Sequence, residues 1–563
     1  MAVWIWWKAP STVPQVENIV QLTNDGRPKP MRLMASDGSR IYFQESRDGS
    51  LQIAQTSVTG GETVPLISGL GLVNPAVLDI TPDSSALLIK YGPPYQEDNK
   101  IVATLPLPAG QPRRIVKANS AALFPDGRQL VYCADNSMYI AHIDGSKPRK
   151  ILGFSGSPSS PSVSPDGRRM RFDVDDPSSS NCSLWEAGTD ETQLHPQKLQ
   201  VGCSAFGRWT QDGRFFVFDR LNGKRMDLWV LPDKSGIFSR SAKEPIRITN
   251  GPLSYGPPLP SRDGKKIFVV GYQNRSELVR YDSRSHQFLP ALDGMSVTDV
   301  MYSSNGQWMI YNSYPDHSLW RSRADGTERL QLTYSPLMAF LPHISPDGKH
   351  VAFQGCDDLN CVCDDQNCGA YIVSMNGGEA KHLMSSQTVA FNPAWSFDGK
   401  SLVMNIPVAE NPHGRHASQL GIFDIESNKL SVIPDSQSKV GPYWPTPQMI
   451  IAVGLGEQDA LYSFDRTTGK WSVLADGPIS DWMVSPDSNY IYFVRETPGN
   501  PEAMRVRLAD RKIEVITSLK GFRRLSDPAV LAGTWVGVAP DGSLLLTRDI
   551  GTQEIYALNV NWY

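Results

Sequence analysis

The chain has 563 residues, of which 40% are hydrophobic, 9% aromatic and 20% charged, and its formal net charge is −4. Positive charge is nowhere clustered, which argues against a nucleic-acid partner for these residues, because phosphate binding requires grouped Lys and Arg side chains. A chain of this length can bury more than one core, so we expect two or more domains.

Residues 1–14 are expected to form a membrane-proximal segment or tether. The opening MAVWIWW is apolar and ends at Lys8, but it is too short for a transmembrane helix, which needs about 20 residues. A tryptophan cluster beside a lysine is typical of the interfacial end of such a helix. This predicts membrane attachment through a segment upstream of Lys8; the alternative is an exposed N-terminus without a role.

From residue 17 onward one hairpin recurs along the chain, and residues 342–353 (PHISPDGKHVAF) show it most clearly. Pro presets φ, Asp bonds its own backbone and Gly accepts a positive φ, so the x-P-D-G-x core predicts a tight turn between two strands. The copies are spaced by about 46 residues on average, a period typical of propellers and solenoids. The aspartates assigned to structural turns are Asp37, Asp126, Asp166, Asp212, Asp263, Asp347, Asp398 and Asp541.

Each copy reads as four short strands, which is one propeller blade. Twelve copies predict an all-β fold of about twelve four-stranded blades. Because one ring usually holds four to eight blades, we expect two tandem six-bladed β-propellers, at 15–285 and 286–563; a seven-plus-five split and a single large ring are the alternatives. Residues 17–24 would close the sixth blade and residues 287–292 the twelfth. Alternatively, the N-terminal strand completes the twelfth blade, and one domain is then discontinuous.

The repeated S-P-D-G-[KR] motif, followed by an apolar β-run, resembles the TolB-like, WD-repeat-like propellers of bacteria. The Trp-rich start, the ENIVQLTNDGRPKP entry and the ending from Thr547 to Leu558 resemble the extracytoplasmic propellers of acidobacterial winged-helix transmembrane regulators. The resemblance implies an extracytoplasmic, periplasmic location with N-terminal membrane anchoring. In that family a cytoplasmic DNA-binding domain precedes the membrane helix.

The richest cysteine cluster is residues 356–368, CDDLNCVCDDQNC, inserted between the second and third strands of the eighth blade. Cys356, Cys361, Cys363 and Cys368 are weak candidates for metal ligands, because their spacing is not a standard zinc pattern. In an oxidising compartment two disulfides are the favoured reading, with free thiols as the third. Cys182 and Cys203 are candidates for a further disulfide.

The sequence contains few motifs that indicate a catalytic activity. There is no G-x-S-x-G nucleophile elbow, and we expect neither a catalytic residue nor a cofactor. We predict a non-enzymatic sensing or binding platform that binds a protein, peptide or small-molecule ligand on a propeller face. This platform would be part of a membrane-anchored signalling or transcriptional regulator. The alternative is a hydrolase or lyase with its active site in a propeller funnel. That alternative predicts carboxylates and His converging on the first strands of different blades.

Overall fold

The computed structural model describes residues 13–562 except 31, 48–49, 67–70, 93–99, 109, 176–181, 191–193, 200, 202–205, 223–224, 234–243, 357–367, 385–389, 409–417, 455–458, 498–499 and 526–533. Within these residues the chain is built of antiparallel strands, with one 3-10 turn at Leu292–Gly294 and no α-helix. No helix in the described part of the chain has the length and apolar character needed to cross a bilayer. The predicted membrane attachment upstream of Lys8 lies outside the described residues.

The chain divides into two compact units: unit 1 comprises Met1–Gln273 with Thr552–Tyr563, and unit 2 comprises Asn274–Gly551. This differs from the predicted boundary between 285 and 286. In chain order the strands of unit 1 are β1 Gln15–Gln21, β2 Ala35–Ser36, β3 Arg40–Arg47, β4 Ser50–Ser57, β5 Val64–Pro65, β6 Ala76–Ile80, β7 Ala86–Tyr91, β8 Ile101–Pro106, β9 Arg113–Lys117, β10 Ser120–Leu123, β11 Gln129–Ala134, β12 Ser137–His142, β13 Arg149–Gly153, β14 Ser157–Val163, β15 Arg169–Asp175, β16 Cys182–Gly188, β17 Gln197–Lys198, β18 Gly207–Trp209, β19 Phe215–Asn222, β20 Arg225–Pro232, β21 Ile246–Arg247, β22 Ser254–Tyr255, β23 Leu259–Pro260, β24 Lys266–Gln273 and, from the end of the chain, β49 Thr552–Asn561.

Unit 2 is continuous in sequence. Its strands are β25 Ser276–Asp282, β26 Gln287–Pro290, β27 Val297–Tyr302, β28 Trp308–Ser313, β29 Leu319–Arg323, β30 Leu330–Gln331, β31 Met338–Ile344, β32 His350–Cys356, β33 Cys368–Ser374, β34 Lys381–His382, β35 Phe391–Trp395, β36 Ser401–Pro407, β37 Ser418–Asp424, β38 Lys429–Val432, β39 Lys439–Thr446, β40 Met449–Gly454, β41 Ala460–Asp465, β42 Lys470–Asp476, β43 Ile479–Val484, β44 Tyr490–Arg495, β45 Glu502–Arg507, β46 Ile513–Ser518, β47 Val536–Val538 and β48 Leu544–Asp549.

The described strands form twelve antiparallel sheets, six in each unit, which confirms the predicted all-β propeller architecture. In unit 1, blades 1 to 5 are the consecutive quartets from β2 to β21, and blade 6 joins β22 and β23 to β24, β49 and β1. In unit 2, blades 7 to 11 are the quartets from β27 to β46, and blade 12 is β47, β48, β25 and β26.

The two closing blades exchange strands relative to the sequence prediction. The predicted propellers at 15–285 and 286–563 imply that β25 belongs to blade 6 and β49 to blade 12, whereas β24 pairs with β49 and β48 pairs with β25. Both third strands have the same alternating pattern of apolar and polar residues, so pattern alone does not say which ring each one enters. The outer strands β1 and β26 do lie in blades 6 and 12, and unit 1 is the discontinuous one.

Apolar side chains between neighbouring blades form the core of each ring. In unit 1, Phe43 of blade 1 packs in one buried cluster with Phe268 and Ile555 of blade 6. In unit 2, Leu278 and Leu545 of blade 12 pack with Met309 of blade 7. Across the described residues, each of the six interfaces between neighbouring blades in each unit has its own cluster. Both rings are therefore closed by hydrophobic packing as well as by strand pairing.

Candidate functional site

The candidate site is a cavity of about 110 Å³ in unit 2, where the innermost strands of its blades converge. Space of this size holds several water molecules or a small organic group. Its lining includes side chains of blades 7, 8, 9, 10 and 11 and Trp535 beside β47. The polar and aromatic side chains that carry the argument below are Asp299, His343, Asn392, Tyr443, Asp481 and Trp482.

Irregular strand pairing presents these side chains to the cavity. In β31, β35 and β39 the register with the second strand shifts, and each shift contains a residue with a left-handed backbone: Leu341 (φ 49°), Asn392 (φ 53°) and Gly441 (φ 60°). These three residues lie at the same distance before the turn in blades 8, 9 and 10. A β-bulge bends its strand and redirects side chains. The same bulge, with a left-handed residue in it, therefore recurs in three blades around the cavity.

Asp481 lies deep in unit 2 but retains exposed surface, and it lines the cavity. Its Oδ2 atom accepts a hydrogen bond of 2.8 Å from the Val536 backbone N–H of blade 12. Burial raises the pKa of Asp481 to about 7, and the negative charge of Asp299 adds to the rise. Near neutral pH this carboxyl group can therefore both donate and accept a proton.

Asp299 supplies a second carboxylate to the cavity from β27 in blade 7. The residue is 4% exposed, and its Oδ2 atom accepts a hydrogen bond of 3.3 Å from Asn312 Nδ2. Asp299 and Asp481 occupy the same slot of the repeat, six residues before Asn305 and Asp487 in their turns. The cavity therefore receives one carboxyl group from blade 7 and one from blade 11, and paired carboxyl groups are common in acid–base sites.

His343 and Tyr443 form a further side of the cavity. Their ring centroids are 5.4 Å apart, and Tyr443 meets Trp482 edge-to-face at 6.0 Å. Burial lowers the pKa of His343 to about 4 and raises the pKa of Tyr443 to about 12. At neutral pH both side chains are therefore uncharged, and the His343 ring keeps a free lone pair on one nitrogen.

His343 and Tyr443 each lie four residues before the turn of their blade. In two blades of unit 1 the residues at this position of the repeat form an ion pair. Arg208 of β18 in blade 5 contacts Asp79 of β6 in blade 2, with Nη1 and Oδ1 3.2 Å apart. Arg208 Nη2 also donates to the Leu78 carbonyl, and Asp79 Oδ2 accepts a hydrogen bond of 3.2 Å from the Leu123 backbone. The innermost strands of two opposite blades are thus joined by a satisfied pair of charges.

The predicted turn aspartates lie outside the cavity lining. Each accepts a hydrogen bond from the backbone N–H two residues ahead, at 2.8–3.2 Å, which is the Asx-turn geometry expected of Asp. In blade 8, for example, the Ser345 hydroxyl also donates to Asp347 at 2.6 Å, and this bond lowers the pKa of that carboxyl. The eight aspartates are Asp37, Asp126, Asp166, Asp212, Asp263, Asp347, Asp398 and Asp541.

The cysteines lie away from this cavity. Cys182 and Cys356 are each disulfide-bonded, and Cys356 stands opposite Cys368 in the β32–β33 pairing. The other cysteines of the predicted cluster, Cys361 and Cys363, and the predicted partner Cys203 lie outside the described residues, so the Cys182–Cys203 pairing stays a prediction. Within the described part of the chain no group of three or more His, Cys, Asp or Glu side chains could hold a metal ion.

Asp299, His343 and Asp481 are not among the predicted site residues, because the aspartates predicted from the repeat are those of the turns. A signal was present: VTDVM in β27 and ISDWM in β43 repeat a hydroxyl residue and an aspartate between the apolar residues of an innermost strand. The structure brings both, together with His343, to one cavity. This is the convergence of carboxylates and His that the enzyme alternative predicted.

The chain is similar to known proteins over parts of its length. No family model matches it. It is 32% identical over 217 residues to the uncharacterized protein Atu1656 of Agrobacterium fabrum, across 36% of this chain and 71% of that protein. It is 25% identical over 205 residues to the uncharacterized peptidase YuxL of Bacillus subtilis, across 34% of this chain and 29% of YuxL. The match thus spans less than a third of the peptidase.

Solved structures with a similar fold include a putative TolB from Agrobacterium tumefaciens, at 15% identity and a TM-score of 0.38, over 49% of this chain and 99% of that one. The tricorn protease matches at 13% identity and a TM-score of 0.34, over 87% of this chain and 62% of that one. These likenesses concern the fold alone, and the twelve antiparallel sheets form the β-propeller architecture that the repeat motif predicted. The resemblance to acidobacterial regulators stays a prediction.

The prediction that the chain is not an enzyme is contradicted by these comparisons. The relatives of this chain include the uncharacterized peptidase YuxL of Bacillus subtilis. The absence of a G-x-S-x-G motif excluded only one route to catalysis, because a propeller cavity can assemble acid–base groups from separate blades.

Proposed function

The chain belongs to the family of the Agrobacterium fabrum protein Atu1656, and from that premise we propose that the cavity of unit 2 is the active site of a hydrolase or lyase. The observation that carries the proposal is Asp481, a carboxyl group deep in the protein that opens on a cavity and has a pKa of about 7. Strongly perturbed carboxyl groups in clefts are candidates for general acid–base catalysis.

In this proposal Asp481 transfers the proton to or from the reacting group. A catalytic group works best when its pKa lies near the working pH, because both protonation states are then populated. Burial is the main cause of the raised pKa of Asp481, and the neighbouring Asp299 adds to the rise. The uncharged His343 and Tyr443 offer hydrogen bonds without adding charge, and the apolar lining from Val300, Met301 and Met483 limits the access of water.

The test is turnover of a chromogenic panel of 4-nitrophenyl esters, 4-nitrophenyl glycosides and aminoacyl 4-nitroanilides. Loss of a positioned general acid or base costs about 10²- to 10⁴-fold in rate, so Asp481→Asn is expected to lower kcat by that factor. The matched control is Asp219→Asn in unit 1, because burial raises the pKa of Asp219 to about 7 as well. Equal losses in both variants, or no turnover of the whole panel, would contradict the proposal.

We also propose that the chain works outside the cytoplasm. Disulfides persist in oxidising compartments and are rare in the cytosol, and Cys182 and Cys356 are disulfide-bonded. Cys133 is a buried free thiol in β11 whose pKa burial raises to about 12, so it is protected from alkylation in the folded protein. Alkylation of the denatured, unreduced protein from its native source, followed by intact mass, should leave Cys182 and Cys356 unmodified; their modification would contradict this location.

A further inference from the structure

The first observation concerns the charge of the cavity in unit 2. Asp299 and Asp481 bring two carboxyl groups to it, and among the described residues that line it none is Lys or Arg. The raised pKa of Asp481 includes a repulsive contribution from Asp299. A ligand with positive charge would relieve this repulsion, whereas a phosphate or carboxylate would increase it.

The second observation is the aromatic content of the walls. Tyr443 and Trp482 meet at 88° with their centroids 6.0 Å apart, and Trp535 also lines the cavity. The faces of aromatic rings carry partial negative charge and attract cations within about 6 Å, Trp most strongly. The aromatic walls and the carboxyl groups therefore both favour a positively charged ligand.

The third observation is a pair of buried polar atoms that have no hydrogen-bond partner, Asn392 Oδ1 and His343 Nδ1. Asn392 is 4% exposed, and both side chains line the cavity. A buried polar atom without a hydrogen-bond partner costs about 1–3 kcal/mol of folding free energy. Such atoms in a cavity wall therefore indicate a ligand that supplies the missing hydrogen bonds. An amide oxygen is an acceptor, and the group that completes it must donate a hydrogen bond.

We propose that the cavity of unit 2 binds a ligand through a primary ammonium group, held by Asp299, Asp481 and Asn392 against the rings of Tyr443 and Trp482. This inference rests on the proposed function, because it names the class of substrate for the same site: an amine whose reacting bond lies close to its charged nitrogen.

A primary ammonium matches the charge of the cavity, its aromatic walls and the unpartnered Asn392 amide oxygen together. It carries one positive charge and three N–H donors, which the carboxylates and the Asn392 amide oxygen accept. A quaternary ammonium would satisfy the rings but has no donor for Asn392. A neutral hydroxyl compound has donors but no charge, and leaves the repulsion between the two carboxyl groups in place.

The experiment is isothermal titration calorimetry of the full chain at about pH 8, where Asp481 is mostly ionised, with n-butylammonium chloride as the probe. Butanol, butyrate and tetramethylammonium serve as comparison ligands. A ligand this small is expected to bind with a dissociation constant on the order of 1 mM. Butanol and tetramethylammonium should bind about tenfold more weakly or worse, and butyrate should give no heat.

Equal affinity for butylammonium and butanol, binding of butyrate, or no heat from butylammonium at concentrations well above the expected constant would overturn the inference. Asp299→Asn and Asp481→Asn should each weaken butylammonium binding about tenfold, while Asp219→Asn in unit 1 should leave it unchanged.

The binding result and the turnover result separate the two proposals. If butylammonium binds as expected while Asp481→Asn retains full turnover of the chromogenic panel, the ammonium site stands and the catalytic role of Asp481 fails. If turnover depends on Asp481 while butylammonium and butanol bind equally, the active site stands and the substrate class fails.

Discussion

The two units use one repeat to build two different centres. Four residues before the turn, blades 2 and 5 of unit 1 carry Asp79 and Arg208, whose charges satisfy one another. The same slot in blades 8 and 10 of unit 2 carries His343 and Tyr443, which are uncharged at neutral pH and border a cavity. The same slot of the repeat therefore carries a pair of charges in unit 1 and two uncharged cavity-lining side chains in unit 2.

The largest effect is expected from His343→Arg, which gives blade 8 the arginine that blade 5 has at this position and so makes the centre of unit 2 resemble that of unit 1. A guanidinium beside Asp299 and Asp481 would compete for both carboxyl groups and bring positive charge into the cavity. We expect butylammonium binding to fall by about 100-fold or more. The measurement is the same calorimetric titration, and His343→Gln, which adds no charge, is the control; equal losses in the two variants would show that charge is not the cause.

The converse change, Arg208→Ala in unit 1, should destabilise the protein. It leaves the Asp79 carboxylate, whose side chain is 19% exposed, without its cation, and loss of one partner from a mostly buried pair costs about 1–3 kcal/mol. Urea unfolding followed by circular dichroism measures the change.

Arg214→Ala is the matched control for Arg208→Ala, because its pair with Asp212 is about half exposed on both sides and such pairs contribute about 0–1 kcal/mol. If both arginine variants lost the same free energy of unfolding, the pair between the opposite blades of unit 1 would be no more than a surface contact.

A smaller effect concerns pH. The folded pKa of Asp481 is about 7, above the ordinary value of 3.8, so the folded state holds this proton more tightly than the unfolded state. Its contribution to stability is therefore full below about pH 4 and is lost as the pH rises toward 7. Asp481→Asn should flatten that part of the stability profile by on the order of 1 kcal/mol, as measured by urea unfolding across pH 4 to 8. An unchanged profile would mean that the carboxyl group is ordinarily hydrated.

The smallest effect expected is that of His343. Its folded pKa of about 4 lies below the ordinary value of 6.5, so its contribution to stability is present above pH 6.5 and is lost as the pH falls toward 4. His343→Gln should remove this acid-side loss, and two-dimensional NMR of the imidazole protons gives the pKa directly. A titration near pH 6.5 would contradict the burial on which the expectation rests.

Much of the fold could be predicted because its determinants are local. A turn such as Asp347-Gly348 needs only its own residues, and the apolar alternation of β32 follows at once in the chain. The partners of β25 and β49 could not be predicted, because each strand fits either ring by pattern and the choice depends on packing around residues such as Phe268 and Leu545. The fold of one blade is therefore determined by residues close together in the chain, whereas the partners of the closing strands are determined by contacts between residues far apart in the chain.

The candidate site was less predictable for a related reason. An aspartate such as Asp481 is unremarkable in sequence until the ring brings β43 beside β27 and the charge of Asp299 acts on it. Asn392 is likewise one of many loop-forming asparagines by type, and only the bulge in β35 turns it into part of a cavity wall. These residues acquire their chemistry from neighbours that are distant in the chain.

The return of β49 to unit 1 has a consequence for how the protein is made. All strands of unit 2 precede Thr552–Asn561 in the chain, so β1 and β24 of the first ring have unpaired edges until β49 has been synthesised. Exposed edges of this kind invite pairing with other chains. The ring that starts first is therefore finished last, and a nascent or truncated chain would be vulnerable to aggregation through blade 6.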